Sequence, residues 1–139
     1  MPKETPSNSL AYEDVFHDRG DFRHLAFGKL NDQELDALPF GAILLSPDGT
    51  VLRFNRTEQE LTGRRPENVV GRNFFTEVAP CTNVQAFAGR FREGIAAKVL
   101  HAVFPYRFDF KMKPRNVTVS LFYDAETDKA WVFVRDLGE

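Results

Sequence analysis

The chain has 139 residues, of which 42% are hydrophobic and 27% charged, with a formal net charge of −2. This length and composition fit one globular domain with a single core and exclude a disordered chain. The small net charge gives no electrostatic reason to expect nucleic acid as a partner, and no apolar run approaches the roughly 20 residues that cross a bilayer.

The N-terminal region is predicted to be a segment that packs onto the rest of the fold. Residues 1–11 are polar, contain two prolines and are expected to fray. Between Tyr12 and Phe27 aromatic and charged residues mix, which favours short helices packed on another surface. Asn31 then begins a short helix with acidic residues in its first turn, and Pro39 ends it.

A β-hairpin and a capped helix are predicted next. The apolar runs Gly41–Leu45 and Thr50–Phe54 flank an Asp-Gly turn, which is typical of two antiparallel strands. Asn55 is expected to cap a short helix, with Glu58 in a capping-box-like arrangement. Gly63 supplies the left-handed residue that ends many helices.

The second half of the chain is predicted as helices followed by three strands. Residues 66–71 indicate a helical turn, and a four-residue apolar recurrence predicts a longer helix over 84–100. Alternating apolar residues then predict strands over 103–112, 117–123 and 130–134. We found no internal repeat.

Cys81 is the only cysteine, so it cannot form an internal disulfide. It is a buried structural residue, a nucleophile or an attachment point, and composition alone favours the first because free cysteines are usually buried. None of the three histidines stands in a motif that would pair with Cys81 as a base.

Several other side chains have an ordinary structural interpretation beside a functional one. Glu58 fits a helix-cap residue, Thr62 faces the same side one turn later, and Arg64 fits an exposed cation after the helix end. A lone Met112 would fill a gap in the core. One set of rings is either core or the lining of a pocket for a flat ligand: Phe74, Phe75, Tyr106, Phe108 and Phe110.

Ordered stretches between about residues 30 and 134 resemble the photoactive yellow protein (xanthopsin) family. The main matching stretches are Phe40-Gly41-Ala42-Ile43, Leu61-Thr62-Gly63-Arg64, Val70-Gly71-Arg72-Asn73-Phe74-Phe75, Val78-Ala79-Pro80-Cys81-Thr82, Tyr106-Arg107-Phe108-Asp109-Phe110 and Trp131-Val132-Phe133-Val134. The resemblance implies an α+β PAS fold, with a five-stranded antiparallel sheet flanked by helices. Residues 1–29 would be an N-terminal helical cap segment and residues 30–139 the photosensory core.

The same resemblance implies a blue-light photoreceptor that is not an enzyme. Its cofactor would be p-coumaric acid (4-hydroxycinnamic acid), bound as a thioester to Cys81. A buried, protonated Glu58 would donate a hydrogen bond to the chromophore's phenolate oxygen. Thr62 would support this network, and Arg64 would cover the pocket. The remaining pocket residues would be Phe74, Tyr106, Phe108 and Met112, the last influencing the thermal return to the dark state.

Phe54 departs from the family pattern, which usually has a tyrosine whose hydroxyl is the second donor to the phenolate. A phenyl ring cannot donate this bond, and a bond to a buried anion is worth roughly 1.5–3 kcal/mol. We therefore expect Thr62 to substitute in part. We also expect a shifted absorption maximum or a mixture of two dark forms.

The implied photocycle begins when light isomerises the chromophore from trans to cis. Glu58 then passes its proton to the phenolate and becomes a costly buried anion, and the fold opens. The N-terminal cap segment is expected to detach because few core contacts hold it to the outer face of the sheet.

Two other functions stay open at this point. One is a PAS domain that binds another small ligand or acts as an interaction module, with Cys81 in the core. The other is an enzyme with Cys81 as nucleophile, which the missing histidine motif weakens. The expected partner is an unknown downstream signalling protein, without nucleic acid or membrane, and the chain is expected to be a monomer or weak dimer. The N-terminus has no export signal, which favours the cytoplasm.

Overall fold

The computed structural model describes residues 12–17, 27–108 and 114–138. Its centre is a five-stranded antiparallel sheet with the strand order β2-β1-β5-β4-β3. The strands are β1 (Gly41–Leu45), β2 (Val51–Phe54), β3 (His101–Phe108), β4 (Arg115–Asp124) and β5 (Lys129–Gly138). The predicted α+β class and five-stranded sheet are therefore confirmed.

Both faces of the sheet are covered, which explains why every residue of β1 is buried. Side chains alternate along a strand, so Ile43 and Leu45 lie on one face, called here the inner face, while Ala42 and Leu44 lie on the outer face. The inner face packs against the helical region between β2 and β3. The outer face packs against the N-terminal residues and the first helix.

In the described part of the chain, three short α-helices accompany the sheet: α1 (Asp32–Asp36), α2 (Arg56–Thr62) and α3 (Arg90–Ala97). A reciprocal capping box between Asn31 and Glu34 begins α1, which ends at Asp36, earlier than the expected stop at Pro39. Gly63 ends α2 with a φ of 72°, the left-handed conformation that the sequence predicts.

The helix predicted over 84–100 is divided and shorter. A π-helical turn over Gln85–Gly89 leads into α3, which ends where Lys98 adopts a left-handed φ of 59°. Phe87 and Phe91 are buried, as the four-residue recurrence predicts. The helical turn expected after α2 is a 3-10 turn at Pro66–Asn68.

The N-terminal residues that the structure describes dock onto the outer face. Glu13–Phe16 and Phe27–Lys29 form 3-10 turns, and Val15 and Phe27 are 0% and 2% exposed. The expectation of few core contacts is therefore wrong for these residues, because apolar side chains of the segment complete the outer core. The fraying predicted for residues 1–11 falls outside the described residues. Among the described residues, no helix combines the length and the apolar character needed to cross a membrane.

Candidate functional site

The turn that carries Cys81 is held from two sides. It is a 3-10 turn, Pro80–Thr82, and the buried hydroxyl of Thr82 donates to the Ala79 carbonyl at 2.7 Å. The Tyr106 hydroxyl on β3 donates to the Cys81 carbonyl at 2.6 Å. Cys81 itself is half-buried and packs against the inner core, so the structure fixes its backbone close to the aromatic residues.

The aromatic residues predicted as pocket lining are brought together on the inner face. Phe87 lies at their centre, with its ring centroid 5.1 Å from that of Tyr106, 6.0 Å from Phe74 and 6.4 Å from Phe108. Phe54 belongs to the same inner core and is 6% exposed. Sequence analysis predicted Phe87 only as an apolar residue of a helix. Its position at the centre of these rings was not predicted. Phe110 and Met112 lie outside the described residues.

Glu58 is an ionisable side chain in the interior. It is 2% exposed, and its Oε1 atom is buried with no hydrogen-bond partner among the residues that the structure describes. Desolvation by burial raises the pKa of Glu58 from 4.5 to about 8. The carboxyl is therefore mostly protonated at neutral pH, and a protonated carboxyl can donate a hydrogen bond.

The capping box expected between Asn55 and Glu58 does not form. The Asn55 side chain accepts a bond from the Glu58 backbone N–H at 3.1 Å, as a helix cap does. The reciprocal bond is absent because the Asn55 backbone N–H donates to the Ala42 carbonyl at 3.1 Å. Glu58 is thus an interior residue and not a cap residue.

Asn55 is a structural hub that the sequence showed only as a helix cap. Besides Glu58, its Oδ1 atom accepts from the Ala42 N–H at 2.9 Å. Its Nδ2 atom donates to the Leu35 and Phe40 carbonyls at 2.9 and 3.1 Å. This buried amide joins the end of α1, the start of β1 and the start of α2, and so fixes the helix that carries Glu58.

Thr62 and Arg64 follow Glu58 along α2 and beyond its end. The Thr62 hydroxyl donates to the Glu58 backbone carbonyl at 2.9 Å and accepts from the Arg64 N–H at 3.2 Å. This bonding makes Thr62 part of the helix end. Both side chains are half-buried. The substitution of Thr62 for a missing tyrosine hydroxyl stays a prediction.

The structure brings no recognised base to Cys81 from the histidines it describes. His101 lies on the outer face, where its Nε2 atom is 2.9 Å from the Val15 carbonyl, whereas Cys81 packs on the inner core. His17 is exposed beside Asp14. His24 lies outside the described residues. Within the described ranges, no group of three or more His, Cys, Asp or Glu residues could hold a metal ion.

The chain is similar to a protein family and to several known proteins. Residues 29–137 match the family model described as the PAS fold. The photoactive yellow protein of Rhodothalassium salexigens is 46% identical over 110 residues, which are 79% of this chain and 88% of that protein. The photoactive yellow protein of Halochromatium salexigens is 43% identical over 123 residues, 88% of this chain and 98% of that protein.

A similar solved structure is the photoactive yellow protein domain of the sensor histidine kinase Ppr from Rhodospirillum centenum. It is 49% identical, has a TM-score of 0.76, and the match covers 81% of this chain and 98% of that one. The PAS-fold match over residues 29–137 includes the sheet and the helices that carry the residues described above.

Proposed function

This chain belongs to the photoactive yellow protein family of PAS-fold photoreceptors, and from that membership we propose that it senses blue light with a p-coumaroyl group bound as a thioester to Cys81. The observation that carries the proposal is Glu58. Its Oε1 atom is buried with no hydrogen-bond partner among the described residues, and Cys81 packs against the inner core of the same domain. A buried polar atom of this kind is costly unless something bonds to it.

The residues present fit this group. A phenolate oxygen would accept a hydrogen bond from protonated Glu58 and so remove the cost of the unpartnered atom. Cys81 is half-buried, so the residue that would carry the acyl group is partly open to solvent. The rings of Phe74, Tyr106 and Phe108 provide the flat apolar surfaces that a conjugated ligand needs.

When bound, the p-coumaroyl group supplies a double bond that isomerises from trans to cis in blue light, and a phenolate oxygen. Cys81 holds the acyl carbon through its Sγ atom, and Tyr106 fixes the Cys81 backbone. Glu58 would hold a proton on its carboxyl in the dark and would be the group that can supply this proton to the phenolate after illumination. Its carboxylate is then a buried charge whose cost, several kcal/mol, favours opening of the surrounding structure.

The signalling step we propose is release of the N-terminal cap segment, residues 1–29, from the photosensory core, residues 30–139. The described part of this segment packs on the outer face of β5, the strand whose inner face belongs to the inner core. A change in the inner core can therefore reach the segment through one strand. The relative from Rhodospirillum centenum is a domain of a sensor histidine kinase. By analogy, we propose that the released surface acts on a signalling partner, and that no substrate is turned over.

The remaining residues have supporting roles in this proposal. Arg64 covers the pocket, Thr62 supports the hydrogen bonds at the phenolate end, and Met112 influences the thermal return to the dark state. Phe54 supplies a ring without the hydroxyl that would be the second donor.

The test is an intact-mass measurement and a visible spectrum after incubation with activated p-coumaric acid, with Cys81→Ala as the control. The proposal expects a mass gain of one p-coumaroyl group that requires Cys81. It also expects a blue-region band that bleaches in light and recovers in darkness. An adduct equally present in the alanine variant, or none in either protein, would instead favour a PAS domain that binds another ligand or acts as an interaction module.

A further inference from the structure

We propose that Gly41 is a positioning residue for Glu58, because the missing side chain at Gly41 leaves the space that the Glu58 carboxyl occupies. As a statement about a photoreceptor's proton donor, this inference rests on the function proposed above. As a statement about where the carboxyl lies and how it titrates, it concerns the chain alone.

The geometry at Gly41 is a close approach of a side chain to a strand backbone. A Cβ atom added to Gly41 would lie 1.9 Å from Glu58 Oε1, 3.1 Å from its Cδ and 3.4 Å from its Cβ. The first distance is far below any van der Waals contact. The Glu58 carboxyl therefore occupies the position where any amino acid other than glycine at position 41 would place its Cβ atom.

The backbone of Gly41 does not itself require glycine. Gly41 pairs with Val134 in the antiparallel ladder of β1 and β5. Its φ is not in the left-handed region, unlike that of Gly49 in the hairpin turn, which is 92°. Glycine weakens a strand interior, and it often marks a place where another group comes close to the backbone. Here that group is the Glu58 carboxyl.

Asn55 ties the Glu58 backbone to Ala42, the residue next to Gly41. The Asn55 Oδ1 atom accepts hydrogen bonds from both the Ala42 N–H and the Glu58 N–H. The start of α2 is thereby tied to β1 independently of the Glu58 side chain. A methyl group at Gly41 would consequently displace the carboxyl and leave the helix start in place.

Displacement would change the environment of the carboxyl. The present position removes Oε1 from solvent and leaves it unpartnered, and this burial is the cause of the raised pKa. A carboxyl pushed away from β1 would regain water or polar neighbours, and its proton would be held less tightly. Gly41 thus controls whether Glu58 is protonated near neutral pH.

The experiment compares Gly41→Ala with the parent chain, both without chromophore. Infrared spectroscopy follows the carbonyl band of the protonated carboxyl as a function of pH, and the band is assigned by its loss in Glu58→Gln. Gly28→Ala is the matched control, since its added Cβ would meet only ordinary contacts, at 3.7 Å from Asp124. Denaturant unfolding of each variant shows whether it is folded.

The inference expects the Glu58 midpoint in Gly41→Ala to fall by about one pH unit or more, a tenfold weaker proton affinity. Gly28→Ala should keep the parent midpoint. A folded Gly41→Ala with the parent midpoint would overturn the inference. If Gly41→Ala does not fold, Gly41→Ala/Glu58→Ala decides: recovered folding supports the inference, and continued failure refutes it.

These outcomes are separable from those of the proposed function. Titration of Glu58 requires no chromophore, so a chain that never forms an adduct at Cys81 would disprove the photoreceptor proposal and leave the role of Gly41 standing. Conversely, adduct formation at Cys81 says nothing about Gly41.

Discussion

The Tyr106 hydroxyl donates a 2.6 Å hydrogen bond to the backbone carbonyl of Cys81. Tyr106 lies on β3, and Cys81 lies in a short 3-10 turn in which the Thr82 N–H and hydroxyl also donate to the Ala79 carbonyl. The bond therefore joins the attachment residue to the sheet. It also holds the Tyr106 ring against Phe87 in the inner core, at a centroid distance of 5.1 Å.

Replacement of Tyr106 by phenylalanine should loosen this turn. The net loss of one hydrogen bond lowers the free energy of unfolding by about 1 kcal/mol. Because the turn is then less restrained, we expect Cys81 to react with iodoacetamide several-fold faster. Tyr123→Phe is the control, since it removes a hydroxyl bonded to Asp128 at 2.6 Å. Equal alkylation rates in the two variants would show that Tyr106 does not restrain Cys81.

Burial of Glu58 should make stability depend on pH in the protein without chromophore. The folded pKa of about 8 lies above the ordinary value of 4.5, so the folded state binds the proton more tightly than the unfolded state. The contribution is complete below about pH 4.5 and is lost as the pH rises towards 8. Relative to Glu58→Gln, the free energy of unfolding should fall by up to about 1.4 kcal/mol per pH unit across this window.

Urea unfolding of the parent chain and Glu58→Gln between pH 5 and pH 9 measures this difference. Both proteins share all other titrating groups, so subtraction isolates Glu58. Parallel curves over the whole range would mean that the carboxyl is solvated in the folded protein, against its 2% exposure.

Much of the fold was predictable because its signals are local. The Asp-Gly turn between β1 and β2 and the Asn55 cap of α2 each depend on a few neighbouring residues. The alternation along β3 correctly placed Tyr106 and Phe108 on one face. The prediction that Cys81 and Glu58 belong to one site came from the resemblance to a family, because no periodicity could give it.

The parts that sequence analysis missed depend on contacts between distant residues. The side chain of Glu58 turns towards Gly41 on another element, and spacing within α2 carries no sign of this. Val15 is buried, and its carbonyl lies within hydrogen-bond distance of His101 and Ser120, which are 86 and 105 positions away in the sequence. Composition suggested a loosely held segment, whereas the outer face of the sheet provides apolar partners for it.

The Val15 carbonyl is a point of attachment for the N-terminal cap segment. The Ser120 hydroxyl on β4 donates to it at 2.7 Å, and His101 Nε2 on β3 lies 2.9 Å away. Ser120→Ala removes one of these bonds and should weaken docking by about 1 kcal/mol, a roughly fivefold rise in the undocked population. Amide hydrogen exchange around residues 12–17 should then be about fivefold faster.

Ser46→Ala serves as the control for this variant, because it also removes a serine hydroxyl, but from the turn between β1 and β2. Exchange around residues 12–17 should match the parent in that control. If Ser120→Ala also leaves it unchanged, the Ser120 hydroxyl does not contribute to docking and the other contacts of the segment hold it in place.

Phe54→Tyr should restore a second donor to the phenolate in the chromophore-loaded protein. Phe54 is 6% exposed in the inner core, so a hydroxyl added to its ring would lie in the interior. A hydrogen bond to a buried anion contributes roughly 1.5–3 kcal/mol. It stabilises the ground state, in which the charge is concentrated on the oxygen, more than the excited state. The absorption band should therefore move to shorter wavelength, and any second dark form should disappear.

Visible spectra of the loaded parent, Phe54→Tyr and Phe122→Tyr measure this effect, the last variant adding a hydroxyl on the outer face. We expect Phe122→Tyr to keep the parent spectrum. A parent protein with one sharp band that Phe54→Tyr leaves in place would show that Thr62 or another group already provides the second donor. If that group is Thr62, its hydroxyl would have to leave its 2.9 Å bond to the Glu58 backbone carbonyl to reach the phenolate.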